Sequence, residues 1–524
     1  MKKLVGIVLS VAMLTTALAG CGGGTETGKI NSDMPTGEIT YPIDTQEKLS
    51  YWVRLSGNVS TSIQNYAESE FAKAYMEKTG INVEYQHPAA GEEKQSLNLL
   101  IASGELPDII ETTWLDENPA MQIEDEVIIA LNDCIDNYSP YLKKYLSENP
   151  EIDKQIKTDS GQYYVYPFIR GDEKLRATSG FIIRRDWLKE LGLEMPETIE
   201  DWEKVITAFK SKGEMPLGLS MGGLTQFLGG YGIGANMYVN DGKVQYGQIK
   251  EEYKQFLTDM KRWYDNGLID KNAAVLDGKL INTNVLNHKT GVLFGAGGGS
   301  LGVLLNAKKG SGEQFDLGPA PFPTTEKGVK PEFGNKQLEY SPINGAAITA
   351  QAKNPALAAR FLDYSYGEEG YMLNNFGIEG VSYEMVDGYP KYTDVITNNP
   401  DGLAIGQAMP LYFRASTEGP LVQDVRYIEQ YYAEPAQKEA LEVWSNCNHD
   451  AHIMPQVTLT EDEANEYSKL MTAIGTYVSE MMVKFIVGEE PIENFDKYIE
   501  TLKGMNVDRA IEIQQAALDR FNAR

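Results

Sequence analysis

The residues best equipped for chemistry in this chain pair an aromatic plane with a polar group. Trp52 and Arg54 stand two apart, as do Trp114 and Asp116. A saccharide ring has an apolar C–H face and a rim of hydroxyls, so recognising it takes a flat ring beside directional donors and acceptors. The chain has 6 Trp, 30 Tyr and 16 Phe to draw on. A plainer reading stays open for these pairs, with Trp52 a strand-end core residue and Arg54 a surface cation.

Motifs for catalysis or metal binding fit less well. Gly297-Gly298-Gly299-Ser300-Leu301-Gly302 meets a dinucleotide-fingerprint spacing, but no acidic residue stands about 20 positions on, where the ribose contact belongs. Gly218-Leu219-Ser220-Met221-Gly222 and Gly298-Gly299-Ser300-Leu301-Gly302 share the serine-hydrolase elbow spacing. Both serines run on into glycine-punctuated sequence rather than a solid helix, so both read as loops. No carboxylate spacing nominates a glycosidase pair. Cys447, His449 and His452 form a Cys/His cluster that would need one more ligand to close around zinc. No complete EF-hand loop occurs. Neither a metal nor a cofactor is expected.

Regular elements must hold such groups in place. Leu49 to Leu55 reads as a strand, followed by Ile63, Tyr66, Ala67, Phe71, Ala74 and Tyr75 at helical spacing up to Gly80. A strand at Ile81 to Tyr85, a helix through Leu97, Leu100 and Ile101, and a strand at Pro107 to Glu111 complete a β-α-β-α-β run. That alternation predicts a parallel sheet. It sets both aromatic pairs at or just past the carboxyl ends of strands, where ligands of open α/β sheets gather. A second α/β unit begins at Phe181-Ile182-Ile183. Thr198 and Asp201 form a capping box in front of a helix burying Trp202, Val205, Ile206 and Phe209. A further helix runs through Tyr253, Phe256, Met260 and Trp263. Asn354-Pro355 opens another, and the last third is mainly helical.

The N-terminus reads as an export signal. Lys2 and Lys3 precede an apolar run from Leu4 to Leu18, and Leu18-Ala19-Gly20-Cys21 has the form of a lipobox. Residues 1–20 are expected to be removed and Cys21 lipidated, with 21–48 a flexible tether rich in Gly, Thr and Pro. No second apolar stretch reaches about 18 residues, the length of a membrane span. The net charge of −28 argues against nucleic acid or anionic lipid as a partner. Cys134 and Cys447 are the remaining cysteines, and a bond between them is left open. About 500 folded residues exceed one hydrophobic core, so two domains are expected.

Several segments resemble the extracellular solute-binding protein family 1, in particular its longer lipoprotein branch from Gram-positive bacteria. They include Glu77-Lys78-Thr79-Gly80-Ile81-Asn82-Val83, Ala102-Ser103-Gly104-Glu105-Leu106-Pro107-Asp108-Ile109 and Gly161-Gln162-Tyr163-Tyr164. Arg184-Arg185-Asp186-Trp187-Leu188, Phe361-Leu362-Asp363-Tyr364, Phe376-Gly377-Ile378-Glu379-Gly380 and Phe485-Ile486-Val487-Gly488 continue the series in order. The resemblance implies a two-lobe, periplasmic-binding-protein-like (type II) α/β fold of the maltodextrin-binding kind, its lobes discontinuous and joined by hinge crossings. Transferred here, it assigns 49–170 with 345–385 to the N-terminal lobe and 171–344 with 386–524 to the C-terminal lobe. The crossings fall near Tyr166–Gly180 and Tyr340–Gly345.

The same resemblance implies a lipid-anchored receptor on the outer face of the membrane, monomeric, that passes a carbohydrate to ABC permease subunits. A same-fold receptor for a peptide or other solute, or a surface enzyme on polysaccharide, are the alternatives. It places Phe168 and Arg170 in the first crossing, Tyr340 and Asn344 in the second, and Phe227 and Tyr231 in a Gly-rich loop. Ser300 follows the strand Val292-Leu293-Phe294, where relatives present an aromatic that is missing here. Glu379 faces the cleft or caps a helix. With Trp52, Arg54, Trp114 and Asp116, these are the candidate ligand-binding residues.

Overall fold

A computed structural model of the chain describes residue 30 and residues 32–524. The expected leader and Cys21, the expected lipidation site, lie outside the described residues. The strands are β1 (Lys48–Trp52), β2 (Asn82–Gln86), β3 (Ile109–Thr112), β4 (Tyr166–Arg170), β5 (Ser179–Arg184), β6 (Leu217–Gly218), β7 (Met237–Asn240), β8 (Lys243–Tyr246), β9 (Val292–Ala296), β10 (Leu317–Ala320), β11 (Tyr340–Ile348), β12 (Tyr383–Val386), β13 (Tyr389–Tyr392) and β14 (Leu421–Gln423).

Six strands form one sheet in the order β14-β4-β11-β3-β1-β2, and four form a second in the order β10-β5-β9-β6. In the first, β1 runs parallel to β2 and β3, as the β-α-β alternation requires, while β11 returns antiparallel between β3 and β4. Local signals set the helices between. The Ser69 hydroxyl accepts from the Ala72 amide ahead of Glu70–Thr79, and Gly80 ends that helix at φ 75°, a left-handed turn suited to glycine. Thr198 and Asp201 cap each other's backbone ahead of Ile199–Phe209.

Each sheet has its own core. Phe181, Trp202, Phe227 and Trp263 pack at the centre of the second, and Leu49, Val83, Ile109 and Leu142 belong to the first. A third cluster gathers Phe376, Tyr392, Phe413 and Tyr432. The helix Glu461–Val487 is long and apolar enough to cross a membrane. It packs Ile474, Val478, Met481 and Phe485 into the second core instead. Cys134 and Cys447 are both buried and free, in separate parts of the molecule.

Three boundaries differ from the sequence reading. The expected tether is docked from about Pro35: the buried Arg360 guanidinium donates to the carbonyls of Pro35 (2.5 Å) and Gly37 (2.6 Å), and Tyr41 donates to the Arg360 carbonyl (2.8 Å). A segment held by its carbonyls needs no periodicity, so none was visible. The second crossing ends earlier than 340–345, because Tyr340 already pairs with Ile169 in the first sheet. Residues after 385 do not pass directly to the second lobe, because β14 pairs in parallel with β4. A three-residue strand reached through helices carries no period to read.

The sheets are joined by 171–178, 321–339 and a third passage after β14. Arg170 donates to the Leu338 carbonyl at 3.2 Å and Arg176 to that of Gln337 at 2.6 Å, tying the first two connectors together. Lys336, buried between them, is paired with Glu173 and with Asp450.

Candidate functional site

The carboxyl edge of the first sheet carries a charged cluster built from distant segments. Between Ser341, opposite Phe168, and Ala346, opposite Tyr166, β11 breaks register. This bulge pushes Ile343 into solvent, 38 % exposed, and turns Asn344 into left-handed backbone at φ 54°. The Asn344 amide donates to Glu418 Oε2 at 3.1 Å, and Arg54 reaches the same oxygen at 3.7 Å. Glu418 is itself at φ 67°. Burial raises its carboxyl above the usual range, with Arg170 and Arg54 pulling the other way. Burial also lowers the Arg170 guanidinium.

Beneath this rim lies a buried pair. Glu111 accepts from Tyr51 Oη and from Arg414 Nη2, both at 2.6 Å. Arg414 also donates to the Glu418 carbonyl at 2.8 Å and lies over the Tyr66 ring at 5.1 Å. A Cβ on Gly419, at φ 130°, would collide with that guanidinium, so glycine is required there.

Gly345 pairs with Thr112, two residues before the turn Trp114–Glu117, so the cluster and that turn share one edge. Beyond the turn opens a cavity of 660 Å³ lined from both lobes. Asp116 and Asn118 face Met454, Tyr467, Met471 and Gln514 across it. Both polar atoms of the Asn118 side chain are buried without a partner. A second cavity, of 350 Å³, shares Met454 with the first and lies among Gln226, Phe333, Asn335 and His449.

The lobes also touch directly. Asp159 of the first lobe accepts from Thr458 Oγ1 (3.1 Å) and Arg520 Nε (2.5 Å), and pairs with Arg524.

Of the expected residues, the structure gathers Arg54, Arg170 and Asn344 around Glu418 and sets Asp116 in the cavity wall. It does not gather the aromatics. Trp114 is 1 % exposed, its indole N–H on the Ile110 carbonyl at 3.1 Å, and Trp52 and Phe168 are buried likewise. Tyr340 is buried against the Tyr164 hydroxyl at 3.1 Å. Phe227 lies in the second core, and Tyr231 donates to Asp259 at 3.0 Å. Glu379 is exposed in its turn, bridged to Tyr383. Ser300 sits in the turn Gly297–Gly302, folded over Gly295.

Gly297 and Gly298 pack under the rings of Tyr432 and Tyr431, where a Cβ would clash. Two aromatic rings from a segment about 130 residues on thus cover the glycine run, and Tyr431 is half-buried there. Glu418, Arg414, Glu111 and Asn118 were not nominated from sequence. Arg414 and Glu111 are 303 residues apart, and nothing local marks either. Among the described residues no group of His, Cys, Asp and Glu is placed to hold a metal ion.

A family model described as bacterial extracellular solute-binding protein matches residues 59–372. The fructooligosaccharide ABC transporter substrate-binding protein FusA of Streptococcus pneumoniae is 26 % identical, over 98 % of this chain and 98 % of its own. Lipoprotein LipO of Bacillus subtilis is 26 % identical, over 83 % of this chain and 86 % of its own. Among solved structures, the alginate-binding protein AlgQ2 superposes with a TM-score of 0.74 at 22 % identity, covering 92 % of this chain and 100 % of that one, and so shares the fold.

Proposed function

Because the chain belongs to the bacterial extracellular solute-binding protein family, we propose that it is the receptor of an ABC importer for an oligosaccharide. It captures the sugar between its lobes and delivers it, chemically intact, to the permease. The observation that carries this reading is the 660 Å³ cavity walled by Asp116 and Asn118 on one side and by Met454, Tyr467 and Gln514 on the other. That size falls within the roughly 300–1,000 Å³ of small-molecule sites. The ligands named for similar proteins, a fructooligosaccharide and alginate, are saccharide chains, which supports the class.

Arg54, Arg170, Asn344 and Glu418 form the polar rim. Guanidinium donors, a carboxylate acceptor and an amide together suit a ring of hydroxyls, each of which donates and accepts. A ligand touching both lobes stabilises the arrangement in which both are near. It shifts the lobe population toward closure by its difference in affinity for the two states, and the permease reads the result. The body is monomeric and held at the outer face of the membrane through Cys21, after removal of residues 1–20.

Thermal-shift and calorimetric screening of the mature chain with oligosaccharides tests the reading, since a ligand bound only by the folded state raises the midpoint. Scattering with ligand is expected to give a smaller radius of gyration. Release of shortened sugars during incubation would replace the receptor by an enzyme. A midpoint raised by peptides alone would replace the sugar.

A further inference from the structure

The second-lobe cavity holds polar groups that the chain itself leaves unpaired. The side-chain amides of Gln226 and Asn335 line it, and neither hydrogen-bonds to another described residue. The Nδ1 of His449 is buried without a partner. The wall is nevertheless rigid: Glu332 accepts from Asn448 at 2.8 Å and meets His452 at 3.3 Å, while the His452 and Phe333 rings stack with centroids 4.4 Å apart. The buried, unpaired His449 Nδ1 is unusual, because buried polar groups are ordinarily paired, and the half-buried amides of Gln226 and Asn335 beside it are open to a ligand. Met454 lines this space and the interlobe cavity alike, so the two cavities are neighbours.

The lining also sets the charge of the ligand. It contains no Lys, Arg, Asp or Glu, and its ionisable groups are His449, His452 and the Tyr238 hydroxyl, which burial pushes up. Burial holds His449 down at about 4, with His452 adding to the effect, so its imidazole is neutral at pH 7. A carboxylate entering here would lose water and find no cation in the lining, because Arg176 and Lys336 near His449 are already paired with Asp450. A hydroxyl would find an amide or an imidazole nitrogen able to complement it in either sense.

We propose that this cavity is a subsite for one uncharged sugar residue of the bound oligosaccharide, read by Gln226, Asn335 and His449, and that the protein therefore selects neutral over uronate chains. The proposal rests on the oligosaccharide-receptor reading.

Calorimetry on the mature chain tests it, using neutral tri- and tetrasaccharides (kestose, nystose, maltotetraose, cellotetraose) and uronates of equal length (tetragalacturonate, tetramannuronate). A neutral chain is expected to bind and the uronates to fail at the same concentrations. Gln226→Ala combined with Asn335→Ala removes two ligand hydrogen bonds and is expected to weaken binding by about tenfold or more, with the ligand-free thermal midpoint unchanged. Asn335→Asp, nearly the same shape but charged, is expected to weaken it as well and serves if the double variant folds poorly. Uronates binding as tightly as neutral chains, or neutral binding unmoved by these variants, overturns the subsite and leaves the receptor reading standing. Failure of every saccharide of either charge overturns both.

Discussion

The side chain of Asn344 donates to Oε2 of Glu418 at 3.1 Å, and both residues hold left-handed backbone, at φ 54° and 67°. Such conformations cost about 1–3 kcal/mol each and persist only where surrounding structure enforces them. Here the β11 bulge enforces one and the Arg414 contact to the Glu418 carbonyl the other. Asn344→Gly keeps the backbone at ease and deletes the amide. Ligand affinity is expected to fall about tenfold, while the unfolding midpoint moves little. Calorimetry beside thermal unfolding checks the pair of outcomes, and an unchanged affinity removes Asn344 from the rim.

The Arg414–Glu111 pair is buried on both sides, at 8 % and 1 % side-chain exposure. Arg414→Ala leaves the Glu111 carboxylate with Tyr51 as its remaining partner and no cation. Breaking one side of a buried pair costs about 3–5 kcal/mol. Denaturant unfolding of Arg414→Ala is expected to show a loss of that order. Arg54→Ala, at a pair more than a quarter exposed on both sides, is expected to lose less than about 1 kcal/mol.

Asp159 draws Thr458, Arg520 and Arg524 of the second lobe onto the first. Asp159→Asn removes the charge from these contacts and keeps the shape. The ligand-free radius of gyration by scattering is expected to rise, and saccharide affinity to fall by the fraction of molecules moved to open arrangements. An unchanged radius would mean that the connectors alone set the lobe angle.

His449, held near 4 by burial, titrates near 6.5 in the unfolded chain. Between those values the unfolded state binds the extra proton, so folding stability from this group falls as pH falls from about 6.5 to about 4. The slope is at most about 1.4 kcal/mol per pH unit for one proton. The charged groups that face it are Asp450, Arg176 and Lys336, and the His452 ring lies beside them. His449→Gln is expected to flatten the acid side of the ligand-free stability profile by that one-proton share. Urea unfolding at pH 4.5, 5.5 and 6.5 measures it.

Much of the scaffold was legible because it is written locally. Glycine at Gly80, the Thr198–Asp201 box and the alternating apolar runs each report on neighbours within a turn or a strand, and each stands where the spacing put it. The aromatic candidates show where that reading stops. Trp52, Trp114 and Phe168 lie where expected along the chain but turn their rings into the core, since position along a strand end does not say which face meets the cleft. The polar members of the same pairs, Arg54, Asp116 and Arg170, are the ones at the rim or the cavity wall, and charge explains why: leaving water without a partner is costly for them and favourable for a ring.

The sequence by itself determined the class of protein: an acidic chain, two α/β units and an ordered series of family segments. Tertiary structure alone assembled the candidate site. Glu418 meets Asn344 across 74 residues and Arg414 meets Glu111 across 303, and β14 returns to the first sheet far from its neighbours in the chain. Helix caps and strand periods arise from forces between near neighbours and leave a mark in the order of residues. The proposed rim, assembled by long-range crossings, arises from which edges of two sheets face each other, and no local spacing encodes that.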